Sequence, residues 1–215
     1  MIKALLRSVY YRYLNKIIIY FFPIKGKNNT IDNKNFIPFF SKRIIGNNNK
    51  IILLKGSYNK LNIFIKGDNN IIEINKNIRI KDLDLWIEDN NCKIIIGANT
   101  TIESAHIGVA EDNSTVSIGK DCMLSSNIRI VTTDSHSIID NSTGLRLNLS
   151  DNVNIGNHVW LGANVCILKG SYISDNSIVG INSIVNKNFK KSNVILAGQP
   201  AKIIKEDINW DRERI

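Results

Sequence analysis

The sequence is poor in residues that cross-link a fold or anchor it in a membrane. Cys92, Cys122 and Cys166 are its three cysteines, far apart and forming no CxxC. That excludes a disulfide framework and a zinc knuckle, and fits a reducing, cytoplasmic compartment. No apolar run approaches the ~20 residues of a bilayer-crossing helix. IIIYFFPI (Ile17–Ile24) is far too short, and no small-residue cleavage site follows it, which argues against a signal peptide. Beyond Ile24 no aromatics interleave with basic residues as a stacking platform, so nucleic acid is not read as a partner. Acidic residues are also in deficit. Nineteen Asp and Glu against 28 Lys and Arg leave a formal charge of +9. This charge suits an anionic polymer or a membrane surface. Heavy use of Lys, Ile and Asn gives it a second origin, an AT-rich genome. The length of 215 residues and the hydrophobic fraction of 43% suit one domain, or one domain plus an appendage.

What is present is a period. Between residues 149 and 188 an aliphatic residue returns every sixth position: Leu149, Ile155, Leu161, Ile167, Ile173, Val179, Val185. Four places after each of the first six come Val153, Val159, Val165, Ser171, Ser177 and Ser183. Six matches neither a helix nor a lone strand; it marks a parallel β-helix of hexapeptide repeats. Each repeat gives a short strand and a turn, and three make a triangular coil. The aliphatic points to the axis, and Gly or Asn at the corner tolerates positive φ. Coils must stack, about 4.8 Å apart, to bury that axis.

Residues 1–40 form a basic, aromatic cap segment, residues 41–200 the β-helix and residues 201–215 a tail read as a short polar helix. Two readings of residues 1–24 stand open: a cap on the end of the column, or a helix lying on a membrane with Lys3, Arg7, Arg12 and Lys16 near the headgroups. Residues 61–118 alternate as short strands split by Asn, Asp and Gly, without the strict period. Their Asn-rich turns are expected to stack as amide ladders. The six-residue register appears at Ile118, Leu124 and Ile130, then breaks for residues 131–148. This stretch is an excursion from a rigid scaffold, where function commonly sits. It carries Asp134 and His136.

DSH, IGNHVWLGANVCILKG, IVGINSIVNK and AGQPAK together resemble the left-handed β-helix acetyltransferases of the hexapeptide-repeat superfamily, most closely the branch that O-acetylates sugars in bacterial capsules. The likeness is good over residues 118–205 and poor in the N-terminal half. It implies a left-handed coil, a homotrimer with active sites between subunits, and transfer of acetyl from acetyl-CoA to a hydroxyl of sialic acid residues in a capsular polysaccharide. It implies no metal and no covalent intermediate.

The resemblance also assigns roles. His136 becomes the general base, as its pKa class and loop position allow. Asp134 or a backbone carbonyl would fix its tautomer. Trp160 becomes a donor to the thioester oxygen or the wall of the acyl pocket. Coenzyme A would lie along Gly162, Ala163, Gly180 and Ile181, then Asn186 and Lys187. Lys202 and Lys205 stand where the family commonly has arginines for the phosphates; lysine is a point charge without the bidentate fork. His158 reads as a turn residue and His106 as structural.

Three rivals remain. One is an acetyltransferase acting on a nucleotide sugar or a lipopolysaccharide O-antigen. Another is the trimeric carbonic anhydrase of the same fold, but its close histidine pair is missing, since the histidines are 106, 136 and 158. The third is a non-enzymatic polyanion-binding scaffold, which has no use for the excursion. A peripheral contact with the membrane or with the capsule-synthesis machinery is compatible with the basic N-terminus.

Overall fold

A computed structural model describes residues 24–214; the cap or membrane reading of the segment before Ile24 lies outside them. The described residues form a three-sided column of stacked parallel strands. In its C-terminal half the faces separate cleanly. The first face stacks Met123–Leu124, Trp160–Leu161, Ile178–Val179 and Ile195–Gly198. The second stacks Ile128–Val131, Cys166–Ile167 and Ile184–Val185. The third stacks Thr115–Ile118, Val153–Ile155, Tyr172–Ile173 and Asn188–Phe189.

The period sets this geometry. Ile155 pairs with Ile173 and Leu161 with Val179, a coil of eighteen residues or three hexapeptides. Ile155, Leu161, Ile167, Ile173, Val179 and Val185 are each at most 3% exposed, and so are the six residues that accompany them in the repeat. Each buried aliphatic contributes roughly 1.5–3 kcal/mol. Leu149 is the exception. It is 65% exposed and belongs to the excursion, so the axis series begins at Ile155.

The N-terminal coils are longer, which hides the period. Ile44 pairs with Ile65 and Ile65 with Ile87, so each coil there exceeds three hexapeptides. Strands Ser57–Lys66, Arg79–Glu88 and Thr101–Val109 run across the first and second faces without a sharp corner. Ladders of asparagine set their stacking. Asn28 donates to Asn48 and Asn48 to Asn69, both at 3.1 Å, and all three sit at positive φ. Asn127, Asn164 and Asn182 repeat the device at the corner between the first and second faces. Asparagine accepts the left-handed conformation and its amide both donates and accepts. Among the described residues Ile24–Lys25 and Thr30–Asn33 already pair as rungs of the column, within the segment read as a cap.

The expected C-terminal helix is absent among the described residues. Ala201–Lys205 is a strand antiparallel to Ile195–Gly198. A free sheet edge offers AKIIK backbone partners, whereas an isolated helix this short is marginal. Residues 206–214 then run back along the first face. Among the described residues no helix is long and apolar enough to cross a membrane.

Candidate active site

The excursion leaves the border between the second and third faces. Ile167 stacks on Ile130, thirty-seven residues earlier instead of eighteen, so nineteen residues are inserted. Asp151 N–H closes its base on Thr132 O at 3.0 Å. The tip is a hairpin: Leu147 N–H donates to Ile138 O and Asp140 N–H to Leu145 O. The turn winds around Asp140, whose Oδ1 accepts four bonds from Ser142 and Thr143. Those bonds hold its pKa at about 2.

Two polar knots fix the flap. Arg146 makes a bidentate pair with Glu111 at 2.6 and 3.0 Å, and Thr133 Oγ1 donates to the same carboxylate. The Arg146 bonds hold Glu111 below the usual carboxylate range. The second knot is Asn148, which is 9% exposed. Its Nδ2 donates to His136 O and to Asp134 Oδ2, each at 2.8 Å, and its Oδ1 accepts from Ile138 N–H. Lys169 bonds Asp134 at 2.6 Å, and this contact, then the Asn148 bond, lower the Asp134 pKa. Asp134 is therefore held by Lys169 and Asn148, and it does not orient His136. The His136 ring is exposed and has no hydrogen-bond partner among the described residues. The flap thus fixes the backbone of His136 and leaves its imidazole open.

Trp160 stands on the first face, between Met123 and Ile178 in register. It is half-buried, and its indole N–H has no bond among the described residues. Trp210 packs beside it, ring centroids 6.1 Å apart. The tail is strapped down by groups whose pairing no sequence spacing announces. Trp210 Nε1 donates to His158 O at 2.9 Å, and the His158 ring bridges Asp121 at 2.7 Å and Trp210 O at 3.0 Å. Arg212 reaches Thr101 Oγ1, Asp121 and Cys122 O. Burial alone would raise the Asp121 pKa, but bonds from His158 and Arg212 hold it below its ordinary value.

The remaining positions fall into two groups. Gly162–Ala163 and Gly180–Ile181 stack at the border of the first and second faces, beside Trp160. A Cβ on Gly162 would lie 2.8 Å from Ile181 N, so rung stacking alone already requires glycine there. Lys202 and Lys205 lie on the strand that extends the first face, both exposed and without an ion pair among the described residues. Asn186 and Lys187, expected with this group, lie instead at the border of the second and third faces. They sit one coil beyond Lys169, since Leu168 N–H donates to Val185 O. His136 therefore leaves the far border of the second face while Trp160 stands on the first face, and one chain does not bring them together. Burial pushes the Cys92 and Cys122 thiols up to about 11, leaving them inert. No cluster among the described residues could hold a metal.

No protein-family profile matches the chain. It is 39% identical over 94 residues to the polysialic acid O-acetyltransferase of Neisseria meningitidis, covering 44% of each chain. It is 47% identical over 62 residues to galactoside O-acetyltransferase of Escherichia coli K12, covering 29% of each. The matched stretches thus span less than half of these curated relatives. The solved polysialic acid O-acetyltransferase OatWY superposes with TM-score 0.79 at 36% identity, over 89% of this chain and 92% of that one. The polysialic acid-specific acetyltransferase NeuO gives 0.73 at 34%, over 88% of both. The chain belongs to the left-handed hexapeptide-repeat acetyltransferases, in the family that contains the polysialic acid O-acetyltransferases.

Proposed function

We propose that the protein transfers acetyl from acetyl-CoA to a hydroxyl of sialic acid residues in an anionic polysaccharide, as a homotrimer. The observation that carries this reading is the near-full-length likeness to OatWY, joined to a flap that fixes His136 and leaves its ring open. The basic charge suits a carboxylated polymer.

The opposite placement of His136 and Trp160 supports a site built between copies. A threefold arrangement with each second face turned to the axis sets the His136 border of one copy against the Trp160 border of the next. In that site His136 removes the proton as the sugar oxygen attacks the thioester carbonyl carbon. The C–S bond then breaks, and the imidazolium returns the proton to the departing thiolate. Base assistance of this kind is worth ~10²–10⁴ in rate. The free indole N–H of Trp160 is a candidate donor to the developing oxyanion. The exposed backbone at Ala163 and Ile181 suits the amides of the pantetheine arm, and Lys202 and Lys205 suit the phosphates.

Mass spectrometry of reactions with acetyl-CoA and a panel of sialylated, neutral and nucleotide-linked sugars tests the proposal. Acetylation confined to sialylated acceptors supports it. Preference for a nucleotide sugar or a neutral galactoside would replace it with the reading that the galactoside relative favours.

A further inference from the structure

At the foot of the flap a groove of about 480 Å³ opens on the third face, lined by Asp151, Asn154, Gly170, Tyr172, Asn188 and Lys190. Its floor is a column in strict register, Asn154 then Tyr172 then Asn188, one residue per coil. All three side chains point away from the axis. Tyr172 is 38% exposed, and its hydroxyl and both amides have no hydrogen-bond partner among the described residues. Lys190 is exposed at one end and forms no ion pair among them. Asp151 lies on the opposite rim, where its carboxylate accepts from Asn152 N–H at 2.7 Å.

We infer that this groove is a subsite for a carboxylated sugar unit of the acceptor chain, away from the unit being acetylated. The inference rests on the function proposed above. An aromatic face flanked by two amides is the surface that a hydroxylated ring recognises: C–H groups on the π-face, hydroxyls on the amides. Lys190 supplies the cation for a carboxylate, and Asp151 an acceptor for hydroxyls on the other side. The groove also adjoins the flap. Gly170 follows Lys169, which bonds Asp134 two residues before His136, and Asp151 closes the base of the excursion. A polymer with one unit at His136 has this groove as its continuation on the same chain.

Tyr172→Ala and Lys190→Glu change exposed side chains and leave the column intact. The test compares acetylation of long and short oligosialic acids by wild type and both variants, alongside binding of a fluorescent long oligomer. An equally long neutral glucan and polyglutamate serve as controls. The subsite predicts a rise of about tenfold in KM for the long acceptor, with kcat, the short-acceptor KM and the acetyl-CoA KM unchanged. It also predicts weaker oligomer binding and weak binding of either control. An unchanged long-acceptor KM, or an equal rise for long and short acceptors, would overturn the subsite while leaving the proposed function standing. If wild type acetylates no sialylated acceptor, the proposed function fails instead. The acceptor subsite falls with it, and the binding arm tells the two failures apart: loss of oligomer binding in the variants would leave the groove a binding site for a carboxylated glycan without an acceptor role, and no binding by wild type would remove the groove as well.

Discussion

Trp210 stacks on His158 with ring centroids 4.1 Å apart and planes within 8°, although 52 residues separate them. The pair ties the tail to the rung that ends in Trp160. Trp210→Ala removes a side chain only 7% exposed, its stacking on the His158 ring and the Nε1 hydrogen bond to His158 O, while the backbone O that the His158 ring meets is kept. The expected loss is about 3–5 kcal/mol of unfolding free energy, read by denaturant titration. Trp160 should also become more accessible to fluorescence quenchers. Unchanged quenching would mean that the strap does not position Trp160.

Asn148→Ala removes the bonds to His136 O and Asp134 and leaves Ile138 N–H without its acceptor. Buried bonds of this kind are worth about 1–3 kcal/mol when one partner is lost. The predicted result is faster hydrogen exchange across residues 134–148 and a fall in kcat, with the acetyl-CoA KM unchanged. Equal loss of protection in the column would mark Asn148 as a general stabiliser.

Acid should loosen the flap first. Glu111 and Asp134 have folded-state pKa values below their ordinary 4.5 and 3.8, Glu111 through Arg146 and Asp134 through Lys169. Their contribution is whole above those ordinary values and is lost as pH falls through the depressed ones. Limited proteolysis by pepsin should therefore cut within residues 134–148 before it cuts the column. Simultaneous cutting throughout would contradict the assignment of these pairs to the flap.

Lys202→Ala should raise the KM for acetyl-CoA with little change in kcat, because an exposed lysine without an ion pair serves bound phosphate as a point charge. An unchanged KM would place the phosphates elsewhere.

The column was legible wherever eighteen residues make a coil, because the axis positions then repeat at six. It was illegible before residue 118, where longer coils and asparagine ladders set the stacking. Leu149 matched the period by spacing but lies on the flap. AKIIK gave no sign that a sheet edge would claim it. The flap and His136 could be read from the break in register. Asn148 and the Asp121–His158–Trp210–Arg212 strap could not, since their partners are brought together only by stacking. The split between His136 and Trp160 also needed the coordinates, because their separation along the chain says nothing about which face or border each one occupies.

Subunit complementation tests the shared site most directly. His136→Ala and Trp160→Ala should each be nearly inactive alone, with coenzyme A binding retained in His136→Ala. Co-expressed one to one, they should regain activity, because random trimers leave about a quarter of the sites with both residues intact. No recovery in verified mixed trimers, or full turnover by an isolated monomer, would contradict a site assembled from two copies.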